Sequence, residues 1–414
     1  MRDYDTGDFS LDKDGSVYLL FNSIRNRPVF PRGVSMKEIE KERDMIREVA
    51  VKTAQRVVKP KATEIDVTGE FPRELLDTLG KQGLLSVLLP EEFGGTDGDV
   101  LSFCLVIEEI AKVCGSSSLI LLAQGAGTMP ILIGGDASQQ ERYFNQIAEK
   151  NSLTALTMGE RDVAPDLGPI EVEAQKQGED YLLHGRKGFI TNGSVADLYS
   201  VFAGLTIGSG QKGLSAFVVE KGTPGLRFGK REETIGMKGA VITEVLFENC
   251  RVPQGNRLGG DEGGQDIVRK TLNLVRTGVG AQAIGLAQGA LDFAMNYSHE
   301  RIQFGKPISS FQALRFMIAD MATQVEAARA LVYKSATPEG TSLDEGERLS
   351  AVAKCYATDT AMKVTTDAVQ ILGGYGYMRD YPLERMMRDA KVTQVYGGSN
   401  QVQRLVIAHH LFHD

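Results

Sequence analysis

The 414-residue chain has no tryptophan, four cysteines and five histidines. Its thiols, Cys104, Cys114, Cys250 and Cys355, lie far apart, with no CxxC pair and no neighbouring histidine. That spacing argues against a disulfide framework or a zinc site and predicts reduced thiols in a core. Three of the histidines, His409, His410 and His413, crowd the C-terminal end, so no metal site is expected. Basic charge is scarce as well. The 46 Lys and Arg against 54 Asp and Glu give a net charge of −8, the opposite of a nucleic-acid-binding surface. No GxGxxG follows a predicted strand, and neither GxxxxGK(S/T) nor GxSxG occurs, so Rossmann, P-loop and α/β-hydrolase chemistry are excluded. The first fifteen residues carry five aspartates and no apolar core, unlike a targeting peptide, and the chain is read as cytoplasmic.

One stretch lacks charge altogether, from Val113 to Gly135. Its serines, Gln124, five glycines and Pro130 predict a buried helix–turn–helix in preference to a membrane span. What is present is ordinary for a soluble globular protein: 42% hydrophobic and 24% charged residues, in a chain long enough for two or three domains. Residues 1–36 are read as an extension, and residues 37–151 repeat apolar positions at three- and four-residue spacing, as a helical domain. Residues 152–265 change period to short alternating runs broken by Gly, Asn and Pro, the pattern of an antiparallel β domain. Helical spacing returns for residues 266–414, a C-terminal bundle in which Gly280, Ala283, Ala287 and Ala290 keep one helix face small. The predicted class is α+β, with the sheet inserted between two helical blocks.

Four segments carry candidate chemistry. "ERIQFGKPISSFQ" ends a long helix with Arg301, Gln303 and Phe304, a set able to clamp a pyrophosphate beside a ring or simply to close a helix. "QILGGYGY" follows at Gln370 with a glycine pair and aromatics, and "GFITNG" places Phe189 and Thr191 on one face of a strand. "VYGGSNQVQR" sets Gly397 and Gly398 back to back among hydrogen-bonding side chains, as a turn or as a close backbone approach to a ligand.

In this order and spacing, these segments resemble the acyl-CoA dehydrogenase family from about Lys37 to the C-terminus. The resemblance implies an acyl-CoA substrate, an FAD at the junction of the domains with its adenosine part reaching a neighbouring subunit, a homotetramer, and electron-transfer flavoprotein as electron acceptor. Residue by residue, it places Met158, Phe189 and Thr191 at the flavin. It places Arg301, Gln303, Phe304 and Gln312 on the pyrophosphate and adenosine side, with Gln370, Gly373, Gly374, Ser399 and Gln401 completing the FAD site. Arg276, Gly397, Gly398 and Gln124 are implied on the substrate side. In the family reaction a glutamate removes the α-proton of the thioester while the β-hydrogen leaves as hydride. The thioester oxygen is held by a backbone N–H of the catalytic loop and a flavin hydroxyl.

Here the two family positions for that glutamate are Gly397 and Val275, neither of which accepts a proton. The flavin loop also departs from the family pattern, reading "GERDVAPD" with an extra acid, Asp162, the candidate for a replacement base. Three functions are therefore carried forward. The first is an acyl-CoA dehydrogenase with a relocated base, acting on an apolar or alicyclic acyl group. The second is a redox-neutral flavin lyase resembling the sulfinoacyl-CoA desulfinases. The third is a non-catalytic or half-active subunit of a heteromeric complex.

Overall fold

Apolar residues on one side and charges on the other shape the first helix, and the computed structural model places it at Met36–Thr53 (α1). The structure describes residues 36–158, 170–207, 211–260, 263–337 and 341–412; Asp162 and the rest of the GERDVAPD loop lie outside them, as does the expected extension up to residue 35. Five further helices follow: α2 (Ala62–Thr68), α3 (Arg73–Lys81), α4 (Val100–Ala111), α5 (Gly115–Gly134) and α6 (Ala137–Lys150). Their boundaries have local causes. Asp99 caps α4 by accepting from the Ser102 N–H at 2.7 Å, and Asp136 forms a reciprocal capping box with Gln139 on α6.

The uncharged stretch is one continuous helix, not the expected helix–turn–helix. Pro130 stands inside α5, and the helix continues to Gly134 past the backbone donor that the proline lacks. This helix is long and apolar enough to cross a membrane, yet 78% of its apolar window is buried within the chain. Its partners are α4, α7 and the sheet.

The sheet comprises β1 (Thr154–Thr157), β2 (Glu173–Gln177), β3 (Asp180–Thr191), β4 (Leu198–Ile207), β5 (Gln211–Glu220), β6 (Leu226–Arg231), β7 (Ile242–Pro253) and β8 (Arg257–Leu258). The order is β6-β7-β3-β2-β4-β5-β8, with β1 also pairing β4. The neighbours are antiparallel except β1–β4 and β2–β4, which run parallel, so the sheet is mixed where an antiparallel one was expected. Parallel partners are joined by crossovers, and no single strand's residue pattern records them.

After the sheet come α7 (Gly264–Glu300), the two-residue strands β9 (Ile302–Gln303) and β10 (Lys306–Pro307), α8 (Gln312–Ala336), α9 (Leu343–Leu372), α10 (Leu383–Thr393) and α11 (Asn400–Phe412). The small residues of α7 serve contacts inside the chain. A Cβ on Gly285 would lie 2.3 Å from the Glu108 carbonyl, and one on Gly289 would lie 2.2 Å from that of Lys112. α4 therefore rests directly on the α7 backbone, while Gly280 meets Val332 of α8. This close packing does not by itself argue for subunit contacts.

α10 fastens the three blocks together. Arg388 reaches Asp66 of α2 at 3.0 and 2.7 Å and the Ile235 carbonyl at 2.7 Å. Asp389, fully buried, accepts from the Met237 N–H, and its pKa is pushed up to about 6, mainly by burial.

Candidate active site

Between α10 and α11 the chain turns through Gly397 and Gly398 at φ +66° and +80°, left-handed values that suit a residue without Cβ. A Cβ built on Gly397 would sit 3.1 Å from Val279 Cγ2 and 3.2 Å from Val275 Cγ1. The two positions where the family resemblance places a base thus touch across one gap, between the loop and α7. Neither contributes a carboxylate.

The loop has no side chains of its own to hold it, and its carbonyls are held from outside. Gln403 Nε2 donates to the Gly397 oxygen at 3.2 Å and to the Gly398 oxygen at 3.0 Å. Lys354 Nζ donates to the Gly398 oxygen and to Asn400 Oδ1, both at 2.8 Å. Among the described residues nothing accepts from the Gly397 N–H. Lys354 is fully buried, and its pKa falls to about 7 because burial penalises the ammonium; Cys355 and Asp359 oppose that shift and Arg276 adds to it. On the loop's other flank, the Tyr396 hydroxyl donates to Gln282 Oε1, and Gln282 Nε2 donates to Ser118 Oγ at 2.8 Å.

Arg276, next along α7, is buried, with Nη1 3.3 Å from Asn273 Oδ1 and 3.5 Å from Glu347 Oε1. Its Nε is buried and has no partner among the described residues. Burial acts to raise the Glu347 pKa, but the hydrogen bond from Arg269 and the charges of Arg276 and Arg269 outweigh it and hold the carboxyl low. Glu347 is therefore an ion-pair partner and a poor proton acceptor.

A second concave site lies where α7 ends. A cavity of about 630 Å³ gathers Arg301, Gln303, Phe304, Gln370, Gly373 and Gly374, six residues that the resemblance assigned to FAD. The Arg301 guanidinium stacks 5.2 Å from the centre of the Tyr375 ring and pairs with no carboxylate among the described residues. Built Cβ atoms on Gly373 and Gly374 meet nothing within 4 Å, so the glycines leave open floor instead of serving internal packing. An unpaired guanidinium, two amides and an aromatic ring over bare backbone suit the pyrophosphate and adenosine of a dinucleotide. Phe304 is 91% exposed and Gln303 is exposed too, so within one chain this site is only half walled.

The remaining assigned residues are not in that cavity. Phe189 sits at a bulge of β3 with φ +53° and is 63% exposed; Thr191, half-buried, pairs with Ile242 at the strand's end. Met158 follows β1 and packs against an apolar cluster around Phe144. Ser399 Oγ accepts from the Val402 N–H at the start of α11, and Gln401 and Gln312 are exposed. Gln124, expected on the acyl pocket, is buried; its amide accepts from the Thr154 N–H at 2.8 Å and donates to the Ser152 carbonyl at 3.2 Å, joining α5 to β1. Lys354 and Gln403 escaped the sequence reading. The available signal was a lone lysine in the small-residue run "SAVAKCYAT" of α9.

Comparison with known proteins gives three domain matches: the acyl-CoA dehydrogenase N-terminal domain over residues 40–151, its middle domain over 155–250 and its C-terminal domain over 262–412. A cyclohex-1-ene-1-carbonyl-CoA dehydrogenase from Syntrophus aciditrophicus (strain SB) is 44% identical over 389 residues, 94% of each chain. One of the same description from Geobacter metallireducens (strain ATCC 53774 / DSM 7210 / GS-15) is 47% identical over 368 residues, 88% of this chain and 95% of that one. Among solved structures, a chain described under electron transferring flavoprotein of Acidaminococcus fermentans superposes with TM-score 0.85 at 43% identity, covering 93% of this chain and all of that one. An acyl-CoA dehydrogenase complexed with FAD from Bacillus anthracis superposes with TM-score 0.82 at 28% identity, over 92% of this chain and 68% of that one.

Proposed function

The chain belongs to the acyl-CoA dehydrogenase family, FAD-dependent oxidoreductases acting on CH–CH donors, and on that premise we propose that its substrate is the CoA thioester of an apolar, ring-bearing acid. The observation that carries this reading is the Gly397 turn. Its N–H has no acceptor among the described residues, its carbonyls are held by Lys354 and Gln403, and it faces α7 beside Arg276. That N–H would donate to a thioester oxygen, which gains charge as the α-proton leaves. Bound FAD supplies the hydride acceptor. Arg301, Gln303 and Gln370 would hold its diphosphate and adenosine end, and Phe189 and Thr191 would border the ring.

A ring-bearing acyl group fits the apolar wall that Val275 and Val279 present to the turn, and it fits the uncharged α5. Two relatives named for cyclohexene-carbonyl-CoA support the same class. The base is relocated from both family positions, with Asp162 the candidate. Electron-transfer flavoprotein is the proposed acceptor, and the half-walled Arg301 cavity supports a homotetramer in which a neighbour completes it.

Anaerobic mixing of the FAD-loaded protein with cyclohexane- and cyclohexene-carbonyl-CoA tests the reading. Bleaching of the flavin band by a ring acyl-CoA is expected, and no bleaching by any acyl-CoA would refute it. The absence of a carboxylate at 397 and 275 also favours a redox-neutral lyase, since C–S cleavage needs no α-proton base. Release of sulfite from a sulfinoacyl-CoA without an electron acceptor would select that alternative.

A further inference from the structure

Glycine loses more backbone freedom on folding than any other residue, and two in succession at left-handed φ form a segment with no side chain to anchor it. Yet the proposed role of this turn requires one N–H to point in one direction. Donors for such a site lose their effect when displaced by about an ångström. Something other than the loop must fix it.

The candidates are few. Gln403, on the first turns of α11, bridges both glycine carbonyls, and Lys354, from the middle of α9, takes the second carbonyl from below. Both side chains are fully buried. The lysine is tied further into the fold by Asn400 Oδ1, and Asn400 Nδ2 donates to Thr358 Oγ1 at 2.9 Å and to Asp359 Oδ1 at 2.8 Å. Among the described residues no carboxylate forms an ion pair with Lys354, so its amine is buried with hydrogen bonds to the loop and Asn400 as its polar contacts. An amine offers two N–H donors even when neutral, enough for both of its contacts.

We propose that Lys354 and Gln403 are positioning residues that hold the Gly397–Gly398 turn so that the Gly397 N–H meets the thioester oxygen. The inference rests on the proposed acyl-CoA reading of this site. It assigns work to two residues that make no contact with substrate.

The test uses Lys354→Met and Gln403→Met in the full-length, FAD-loaded protein. Lys354→Met removes a buried amine and fills its space with an unbranched apolar chain, so folding is expected to persist. Loss of flavin from either variant would be seen directly in its absorption spectrum. Infrared spectra of a bound, 13C-carbonyl-labelled, non-reacting thioester report the hydrogen bond itself. Wild type is expected to shift the carbonyl stretch to lower frequency than in water, and each variant to lose most of that shift. Affinity for CoA lacking an acyl group should not change. With an acyl-CoA that wild type oxidises, kcat should fall about 10- to 10²-fold while KM changes less, as for a displaced oxyanion donor. A full wild-type shift retained in both folded variants would overturn the positioning roles and leave the acyl-CoA reading standing. Absence of any shift in wild type would overturn both. Should Lys354→Met fail to fold, Gln403→Met alone decides, by the same spectrum.

Discussion

Restoring a carboxylate at the gap between the turn and α7 would probe the site most directly, and two routes lead there. Gly397→Glu must adopt φ +66°, which costs a residue with a Cβ about 1–2 kcal/mol. Its Cβ must also share space with Val279 and Val275 at 3.1 and 3.2 Å, contacts that a small shift of two side-chain tips relieves. Val275→Glu reaches the same gap from a helix, with no backbone penalty and a slightly better helix former. At 8% exposure its carboxyl would be desolvated, raising its pKa towards the range of a base that works at neutral pH. A positioned general base contributes ~10²–10⁴ in rate, or roughly 2.7–5.5 kcal/mol off the barrier. That exceeds the strain at 397, and most of the strain falls on the folded state as a whole. Stopped-flow bleaching of FAD by a saturated acyl-CoA such as butyryl-CoA is the assay. Both variants are expected to bleach at least ~10²-fold faster than wild type, with Val275→Glu melting at the higher temperature. Two results would refute the reasoning: a wild type already as fast as the variants, or variants that bind FAD and acyl-CoA normally without any gain.

Other perturbations follow from single contacts. Arg301→Ala should weaken FAD retention by roughly 1.5–3 kcal/mol per charge-assisted bond lost, read as flavin released on dilution, with wild-type retention counting against the cavity. The Lys354 amine titrates near 7 when folded and near 10.5 ordinarily, so between those values the unfolded chain binds more protons. Stability should therefore climb as pH rises through that window, by roughly 5 kcal/mol from this group, and urea titrations of Lys354→Met should lack that part of the slope. For Asp389 the sense is opposite: its folded pKa is raised, so stability falls as pH rises from about 4 to about 6, and Asp389→Asn should flatten melting temperature over that interval. Phe304→Ser removes a side chain that is 91% exposed in one chain; a shift towards monomer in light scattering is expected, and an unchanged assembly would argue that this hairpin faces solvent.

The helical, sheet and helical order was legible because period is a local property, and runs such as "EIEKERDMIREVA" carry it in full. The parallel pairing of β4 with β1 and β2 was not, since it depends on crossovers through distant segments. In α5, Gly125, Gly127 and Pro130 suggested a break. Those glycines instead admit the Phe103 ring and the Thr154 side chain, whose atoms would lie 2.4 and 2.6 Å from a Cβ. At the site, the Arg301 cluster was readable as motifs because its residues come in short contiguous groups. Lys354 and Gln403 were not, because what marks them is a partner 44 residues away, in one case, and a backbone carbonyl with no side chain to advertise it, in the other.

Length itself has a consequence in α7. Arg276, beside the double-glycine turn, and Arg301, at the cofactor cavity, are 25 residues apart along one helix and its cap, about 38 Å at 1.5 Å per residue. An FAD stretched to its full length is shorter than that. On the proposed homotetramer, a turn and the Arg301 cavity that serves its flavin would come from different copies. Complementation between copies is the expected outcome. Chains altered at Lys354 and chains altered at Arg301, each impaired alone, should regain activity when refolded together, because some mixed assemblies would unite an intact turn with an intact cavity.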